Sequence, residues 1–243
     1  MDSYASRFQS TLLQGLQNWE LEDLSGSLPS LTAFAESIVE ANKNLNLTRL
    51  VDPEEMAVKN ILDSLGLLRL EWPLNLSCLD LGTGAGFPGV PLAVCRPEWS
   101  VVLLDSLRKR LRFLEGATKD LGLAHVRTLH VRAEDAGQDK NHRQSYDLVV
   151  SRAVAHLPVL LELATPLVKV GGCFVAYKSS EAEAELRGSS GAMSKLNIKL
   201  EQVFEMELPL SMGERRLLVF RKVAPTPPSF PRRAGLPNKQ PLE

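Results

Sequence analysis

The chain has 243 residues, 44% of them hydrophobic and 23% charged, with a formal net charge of −1. That composition is ordinary for a globular protein and long enough for one large domain, or one domain with an extension; it excludes a chain that is basic throughout. Any surface for a polyanion must therefore be local.

The three cysteines, Cys78, Cys95 and Cys173, have no C-x-x-C spacing, and two fall in apolar runs. Buried, reduced thiols in a cytoplasmic protein are expected. The four histidines lack paired metal spacing, so no metal is expected. No apolar run reaches the roughly 18 residues of a membrane span. The N-terminus lacks a basic segment followed by an apolar one, so no signal peptide is expected.

In chain order, the first 73 residues read as a helical extension. Phe8, Leu12, Leu13, Leu16 and Trp19 recur at helical spacing, which makes a one-sided apolar stripe. Residues 27–30, with Pro29, break the pattern. A second helix places Leu31, Phe34, Ala35, Ile38 and Val39 on one face and runs into an Asn-rich turn around Asn42, Asn44 and Asn46. Asp52-Pro53 then suits an N-cap with proline at the first helical position, followed by Glu54 and Glu55. Met56, Ile61, Leu62, Leu65 and Leu68 give this third helix its apolar face, and Glu71-Trp72-Pro73 ends it. Such helices suit a packing cap on the domain that follows.

From residue 74 to residue 223, strands alternate with helices, the pattern of a mostly parallel, doubly wound sheet. Strands are expected at 76–81, 101–104 closing on Asp105, 126–131, 147–150 and 173–177, with Gly171-Gly172 as the turn before the fifth. Residues 179–193 are acidic and then Gly/Ser-rich, which predicts a mobile connection. Residues 196–207 and 216–221 read as two late strands joined by a Gly-containing turn, an antiparallel pair at the sheet edge. Residues 224–243 form a Pro/Arg-rich tail, extended or disordered in isolation.

The segment on which function turns is Leu79-Asp80-Leu81-Gly82-Thr83-Gly84-Ala85-Gly86-Phe87-Pro88-Gly89. An apolar strand enters it and an apolar helix leaves it, so the glycines lie at the carboxyl end of a strand, where open α/β sheets bind ligands. A dinucleotide fingerprint would need glycine at position 87, where Phe87 stands. The D-x-G-x-G-x-G spacing instead resembles the first motif of S-adenosylmethionine-dependent methyltransferases. A Gly-rich turn without a ligand is the plain alternative.

Asp105 lies 19 residues past Gly86, near the spacing of a ribose-binding acid; it also suits an N-cap for the next helix. Ala133-Glu134 follows the third strand, where a small residue leaves room for an adenine ring and a carboxylate can meet its edge. Arg152 follows the fourth strand and can hold a carboxylate or a phosphate by bidentate hydrogen bonds, or serve a structural ion pair. Cations cluster at residues 108–112, 215–222 and 232–239, which suits a polyanionic partner, although a run of charge on a helix is usually only a solvated face.

Several phrases together resemble one family, the small-subunit (16S) ribosomal RNA guanine-N7 methyltransferases, also called the glucose-inhibited division protein B family. They are Asn42-Lys43 with Asn46-Leu47-Thr48, then Ile61-Leu62-Asp63-Ser64-Leu65, the run from Asp80 to Leu92, Leu104-Asp105-Ser106-Leu107 with Lys109-Arg110, Arg132-Ala133-Glu134, Val150-Ser151-Arg152-Ala153, and Phe230-Pro231-Arg232-Arg233 in the tail. The resemblance implies a Rossmann-like methyltransferase fold with an N-terminal helical extension. It also implies S-adenosylmethionine contacts at Gly82, Gly84, Phe87, Asp105, Ser106, Leu107, Ala133, Glu134 and Arg152. The implied partner is 16S rRNA in the small ribosomal subunit, with Lys109, Arg110, Arg132, Lys178 and Arg215 as phosphate contacts, in a cytoplasmic monomer. Two positions depart from the family's habit: Asn60 stands where it often has His, and Ser179 where it often has Gly. Two other readings make different predictions. A methyltransferase of proteins or small molecules would turn over without ribosomal RNA, and a non-catalytic RNA-binding module would not bind the cofactor.

Overall fold

The computed structural model of the chain describes residues 3–179 and 182–242. Seven strands are present in the described residues: β1 (Ser77–Leu81), β2 (Ser100–Asp105), β3 (Val126–His130), β4 (Tyr146–Arg152), β5 (Val168–Lys178), β6 (Ile198–Glu207) and β7 (Glu214–Lys222). They form one sheet in the order β3-β2-β1-β4-β5-β7-β6. The first five pair in parallel, and β7 runs antiparallel to both β5 and β6. The late antiparallel pair is thus as expected from the sequence, with β7 inside and β6 at the edge. Winding reverses at β1, whose neighbours are β2 on one side and β4 on the other. The crevice outside the carboxyl ends of β1 and β4 is therefore the topological switch point, the place where such sheets bind ligands.

Strand side chains alternate between two cores, as the period of two requires. Cys78, Val101, Leu103, Leu148 and Val150 face a core shared with Phe8, Leu12, Phe34, Ile38, Leu62 and Leu65 of the N-terminal helices. Leu79, Leu81, Val149, Phe174 and Ala176 face the other, with Leu157, Leu160 and Leu161 of the helix Leu157–Ala164, and with Leu242 near the end of the chain. All three cysteines are buried and free. Among the described residues no helix is long and apolar enough to cross a membrane.

The N-terminal helices are Tyr4–Asn18 and Leu28–Leu45, separated by a 3-10 turn at Glu22–Ser27. Pro29 does not break the second helix but stands in its first turn, where a missing N–H costs nothing. Asp52 caps the third helical run, Oδ1 accepting from the N–H of Glu54 at 2.9 Å and of Glu55 at 3.2 Å. That run starts as Pro53–Glu55, widens to a π-helix over Met56–Leu62 and tightens again at Asp63–Leu65. Single-turn π-helices are rare and gather at functional sites.

Three expectations need correction. Gly171-Gly172 is not a turn before β5 but part of a bulge within it, where pairing jumps from Val168 opposite Tyr146 to Cys173 opposite Leu148. The stretch after β5 is not a structureless connection: Ala182–Arg187 and Ser190–Leu196 are helices, and Ala192 and Leu196 reach the second core. Ser180 and Glu181, part of the same expectation, lie outside the described residues.

The tail is not extended in solvent either. The Arg143 guanidinium donates to the carbonyls of Thr226, Pro227 and Phe230 at 2.7–3.1 Å. Arg232 donates Nε and Nη2 to Glu162, whose carboxylate is fully buried, at 2.6–3.1 Å. Composition alone hid this docking, because the partners are single charged residues far away in sequence. Removing one member of a buried pair leaves an uncompensated charge. Arg232→Met is therefore expected to lower unfolding stability by about 3 kcal/mol in urea titrations, and Glu162→Gln in the same chain to recover part of that loss.

Candidate active site: two clefts meeting at Ala153

Strand β1 delivers its buried acid, Asp80, beneath the Gly-rich turn. Asp80 Oδ2 accepts from Thr83 Oγ1 at 2.6 Å and from the Gly89 N–H at 2.8 Å, while Oδ1 is buried without a partner. Glycine at 89 is required by this contact: a Cβ there would lie 2.7 Å from Asp80 Oδ2. Asp80 therefore shapes the turn from below and does not line a cleft. The N–H groups of Gly82 and Thr83 both bond Leu104 O at 2.9 Å, fastening the turn to β2. Gly82 has φ +73°, and a Cβ on it would meet Val154 at 2.5 Å; that space stays open only for glycine.

At the end of β2, Asp105 is buried and held by the backbone. Its Oδ1 accepts from Leu107 N–H at 2.8 Å, and Oδ2 from Gly84 N–H at 3.0 Å. The following helix, Arg108–Asp120, starts beyond Leu107, so Asp105 bridges two turns and does not cap the helix. A carboxylate has about four lone-pair sites, so Asp105 keeps acceptor capacity for hydroxyl groups.

A cleft of about 340 Å³ opens beside it, and Gly82, Asp105, Ser106, Ala133 and Glu134 line it. Gly84 and Leu107 do not line this cleft; their N–H groups orient Asp105. Arg110 and Arg132, expected on RNA phosphates, also line it. Arg110 Nη1 is 3.4 Å from Asp105 Oδ2 and Arg132 Nε 3.9 Å from Glu134 Oε2. Lys109 points outward and is exposed. Asn238 of the tail lines the same cleft, a residue that sequence reasoning left out.

Phe87, expected against the cofactor, turns its ring into the core. It is 5% exposed, packs edge-on against Phe34 with ring centres 5.7 Å apart, and lies under the Arg152 guanidinium at 5.1 Å. Phe87 thus supports Arg152, and a charged residue in its place would be buried in that core.

Arg152 belongs to a second cleft of about 460 Å³, with Lys59, Asn60, Asp63, Lys178 and Arg215. Ala153 lines both clefts and joins them; its φ of +56° is rare for a residue with a Cβ. Three N–H donors of Arg152 are taken, by Lys59 O and Asp63 Oδ2 at 2.9 Å and by Asn60 Oδ1 at 2.8 Å. The structural ion pair considered for Arg152 is therefore formed. Arg215 Nε stands 3.2 Å from Asp63 Oδ1, and Lys178 Nζ bonds Ala155 O at 2.9 Å and Glu185 at 2.7 Å. The π-helix makes this cluster possible by turning Lys59 O, Asn60 and Asp63 toward one guanidinium. The phrases Ile61-Leu62-Asp63-Ser64 and Val150-Ser151-Arg152-Ala153 are its signals in the sequence, without indicating that the two meet.

Burial pushes Asp80 up to about 6, against the hydrogen bonds from Thr83 and Gly89 and the charge of Arg152. The folded state then holds this proton more tightly than the unfolded chain, whose Asp titrates near its ordinary value of about 4. The contribution of Asp80 to stability is therefore largest in acid and falls as pH rises from about 4 to about 6. Asp80→Asn removes that loss. Urea unfolding of the two proteins at a series of pH values is expected to show the Asn variant gaining on wild type between pH 4 and 6, with a constant difference above.

Comparison with known proteins agrees with this geometry. The model of the GidB family, described as rRNA small subunit methyltransferase G, matches residues 27–217. The chain is similar to the ribosomal RNA small subunit methyltransferase G of Pelotomaculum thermopropionicum, 46% identical over 96% of this chain and 98% of that one. It is similar also to that of Acetivibrio thermocellus, 40% identical over the full length of both. Among solved structures, the fibrillarin pre-rRNA processing protein of Methanococcus jannaschii shares the fold, with a TM-score of 0.50 and 13% identity over 64% of this chain and 71% of that one. A Rossmann-like methyltransferase fold, a helical N-terminal extension and matches over nearly the whole chain lead to one conclusion: the chain belongs to the GidB family of small-subunit ribosomal RNA methyltransferases.

Proposed function

We propose that this chain transfers the methyl group of S-adenosylmethionine to N7 of a guanine in 16S rRNA, with the cofactor in the Asp105 cleft and the base entering the Arg152 cleft. The observation that carries this reading is the junction at Ala153: a cleft that presents Asp105 and Glu134 beside Gly82 and Ala133 meets, at the switch point of the sheet, a cleft in which Lys59, Arg152, Lys178 and Arg215 outnumber Asp63 and Glu185.

The residues of the first cleft fit the cofactor. Asp105 is pre-oriented by Gly84 and Leu107 to accept ribose hydroxyls, Gly82 leaves the backbone open to close approach, and Ala133 with Glu134 suits the adenine ring and its edge. When bound, the cofactor supplies a methyl group on a sulfonium sulfur, which departs as a neutral thioether.

Guanine N7 has a lone pair and no proton at neutral pH, so the chain need not provide a general base. Its work is alignment of the nucleophile with the methyl group. N7 lies on the Hoogsteen edge, so the base must be unstacked or presented from a loop. The second cleft holds two arginines around a single carboxylate, Asp63, and this local excess of positive charge suits the RNA backbone. Exposed Lys109 and Arg132 extend the positive rim on the cofactor side. Both clefts are built within one chain, which supports action as a monomer, and ribosomal RNA as substrate supports a cytoplasmic setting.

The test is methyl transfer from labelled S-adenosylmethionine to small ribosomal subunits lacking the modification, followed by nuclease digestion and nucleoside analysis. Label is expected in 7-methylguanosine from 16S rRNA. Label on ribosomal protein, or on another atom of the RNA, would overturn the reading.

A further inference from the structure

The C-terminal tail sets Asn238 in the lining of the cofactor cleft, and nothing in the mechanism above uses it. Its path is fixed well before it arrives. Gln138 Nε2 donates to the carbonyls of Pro228 and Pro231 at 3.2 and 2.9 Å. Arg143 gathers three more carbonyls, and Arg232 is locked to buried Glu162. Beyond these anchors, the Gly235 N–H donates to Glu134 Oε1 at 2.9 Å. A short helical turn, Leu236–Lys239, then sets Asn238 in the wall of the cleft. The turn is tied back by Gln240 O, which accepts from Arg232 Nη2 at 2.7 Å, and by Leu242, buried in the second core.

Two features point to a ligand. Glu134 is 8% exposed, and the tail occupies Oε1 while Oε2 has only the ion-pair contact to Arg132 at 3.9 Å. The tail therefore fixes the direction in which the remaining acceptor of Glu134 faces. Asn238, exposed on the turn that the anchors hold in place, presents its amide at the border of the cleft. An amide offers one acceptor and two donors, the pattern that pairs with the edge of adenine.

We propose that the tail is a structural part of the cofactor site, with Asn238 a positioning residue for the adenine end and Gly235 setting the Glu134 carboxylate. The proposal rests on the reading of this cleft as the S-adenosylmethionine site. It makes cofactor binding and tail docking mutually dependent, since coupling between two binding events is reciprocal.

Calorimetric titration of the full chain with S-adenosylhomocysteine tests it. Asn238→Ala, at an exposed position, is expected to bind about three- to ten-fold more weakly, the worth of one or two hydrogen bonds. A chain ending at Ala234, which keeps Arg232 and Glu162, is expected to lose more. Lys239→Ala is expected to match wild type. Hydrogen exchange gives the reciprocal reading: saturating S-adenosylhomocysteine should slow exchange at Gly235 and the amides that follow it. Wild-type affinity in both the Asn238→Ala and shortened chains, with tail exchange unchanged by ligand, would overturn the proposal while leaving the cofactor reading intact. Failure of the wild-type chain to bind S-adenosylhomocysteine would overturn both.

Discussion

A single desolvated carboxylate sets the shape of the catalytic end of this molecule. Asp80 is fully buried, and burial of an ion is costly unless its hydrogen bonds are supplied. The chain supplies two, from Thr83 and Gly89, and both donors belong to the loop that the acid lies beneath. A loop rich in glycine has many conformations open to it; the Asp80 contacts select one. With the turn set, the N–H groups of Gly82 and Thr83 reach β2, and that of Gly84 reaches Asp105. The position of Asp105 is thus inherited from that of Asp80.

A second buried carboxylate organises the neighbouring cleft. Asp63 comes from the α-helical turn that follows the π-helix, Arg152 from β4 and Arg215 from β7, so one acid gathers three elements that are distant in sequence. Two guanidinium groups on one carboxylate leave net positive charge in this cleft. Asn60 gives Arg152 a neutral acceptor at 2.8 Å. That contact does not titrate, so the charge of the cluster is independent of Asn60 at any pH. Phe87 closes the arrangement from below, its ring beneath the Arg152 guanidinium.

Much of this was legible in the sequence. Strand and helix alternation gave the parallel sheet, because apolar runs between turn residues report burial directly, and the spacing of Asp80, the glycines and Asp105 located the first cleft. What remained hidden depends on single side chains acting at long range. Arg232 looked like one more cation in a Pro-rich tail, and only the fold reveals that buried Glu162 awaits it. The π-helix carries no recognisable periodicity over seven residues, so the convergence of Asn60 and Asp63 on Arg152 could not be read from their spacing. Nor does the sequence show that Lys178 meets Glu185, or that Arg215 shares Asp63 with Arg152. Gly171-Gly172 carried a turn signal that a β-bulge satisfies equally well.

The claim on which the rest depends is that the Gly-rich turn aims Asp105 at a bound adenosine. Calorimetric affinity for S-adenosylhomocysteine in Asp105→Asn measures this directly, with urea unfolding as the control for the fold. Loss of charge-assisted hydrogen bonds worth about 1.5–3 kcal/mol predicts affinity about ten- to hundred-fold below wild type in a folded protein. Wild-type affinity in that folded variant would contradict the role given to Asp105, and with it the placement of the cofactor.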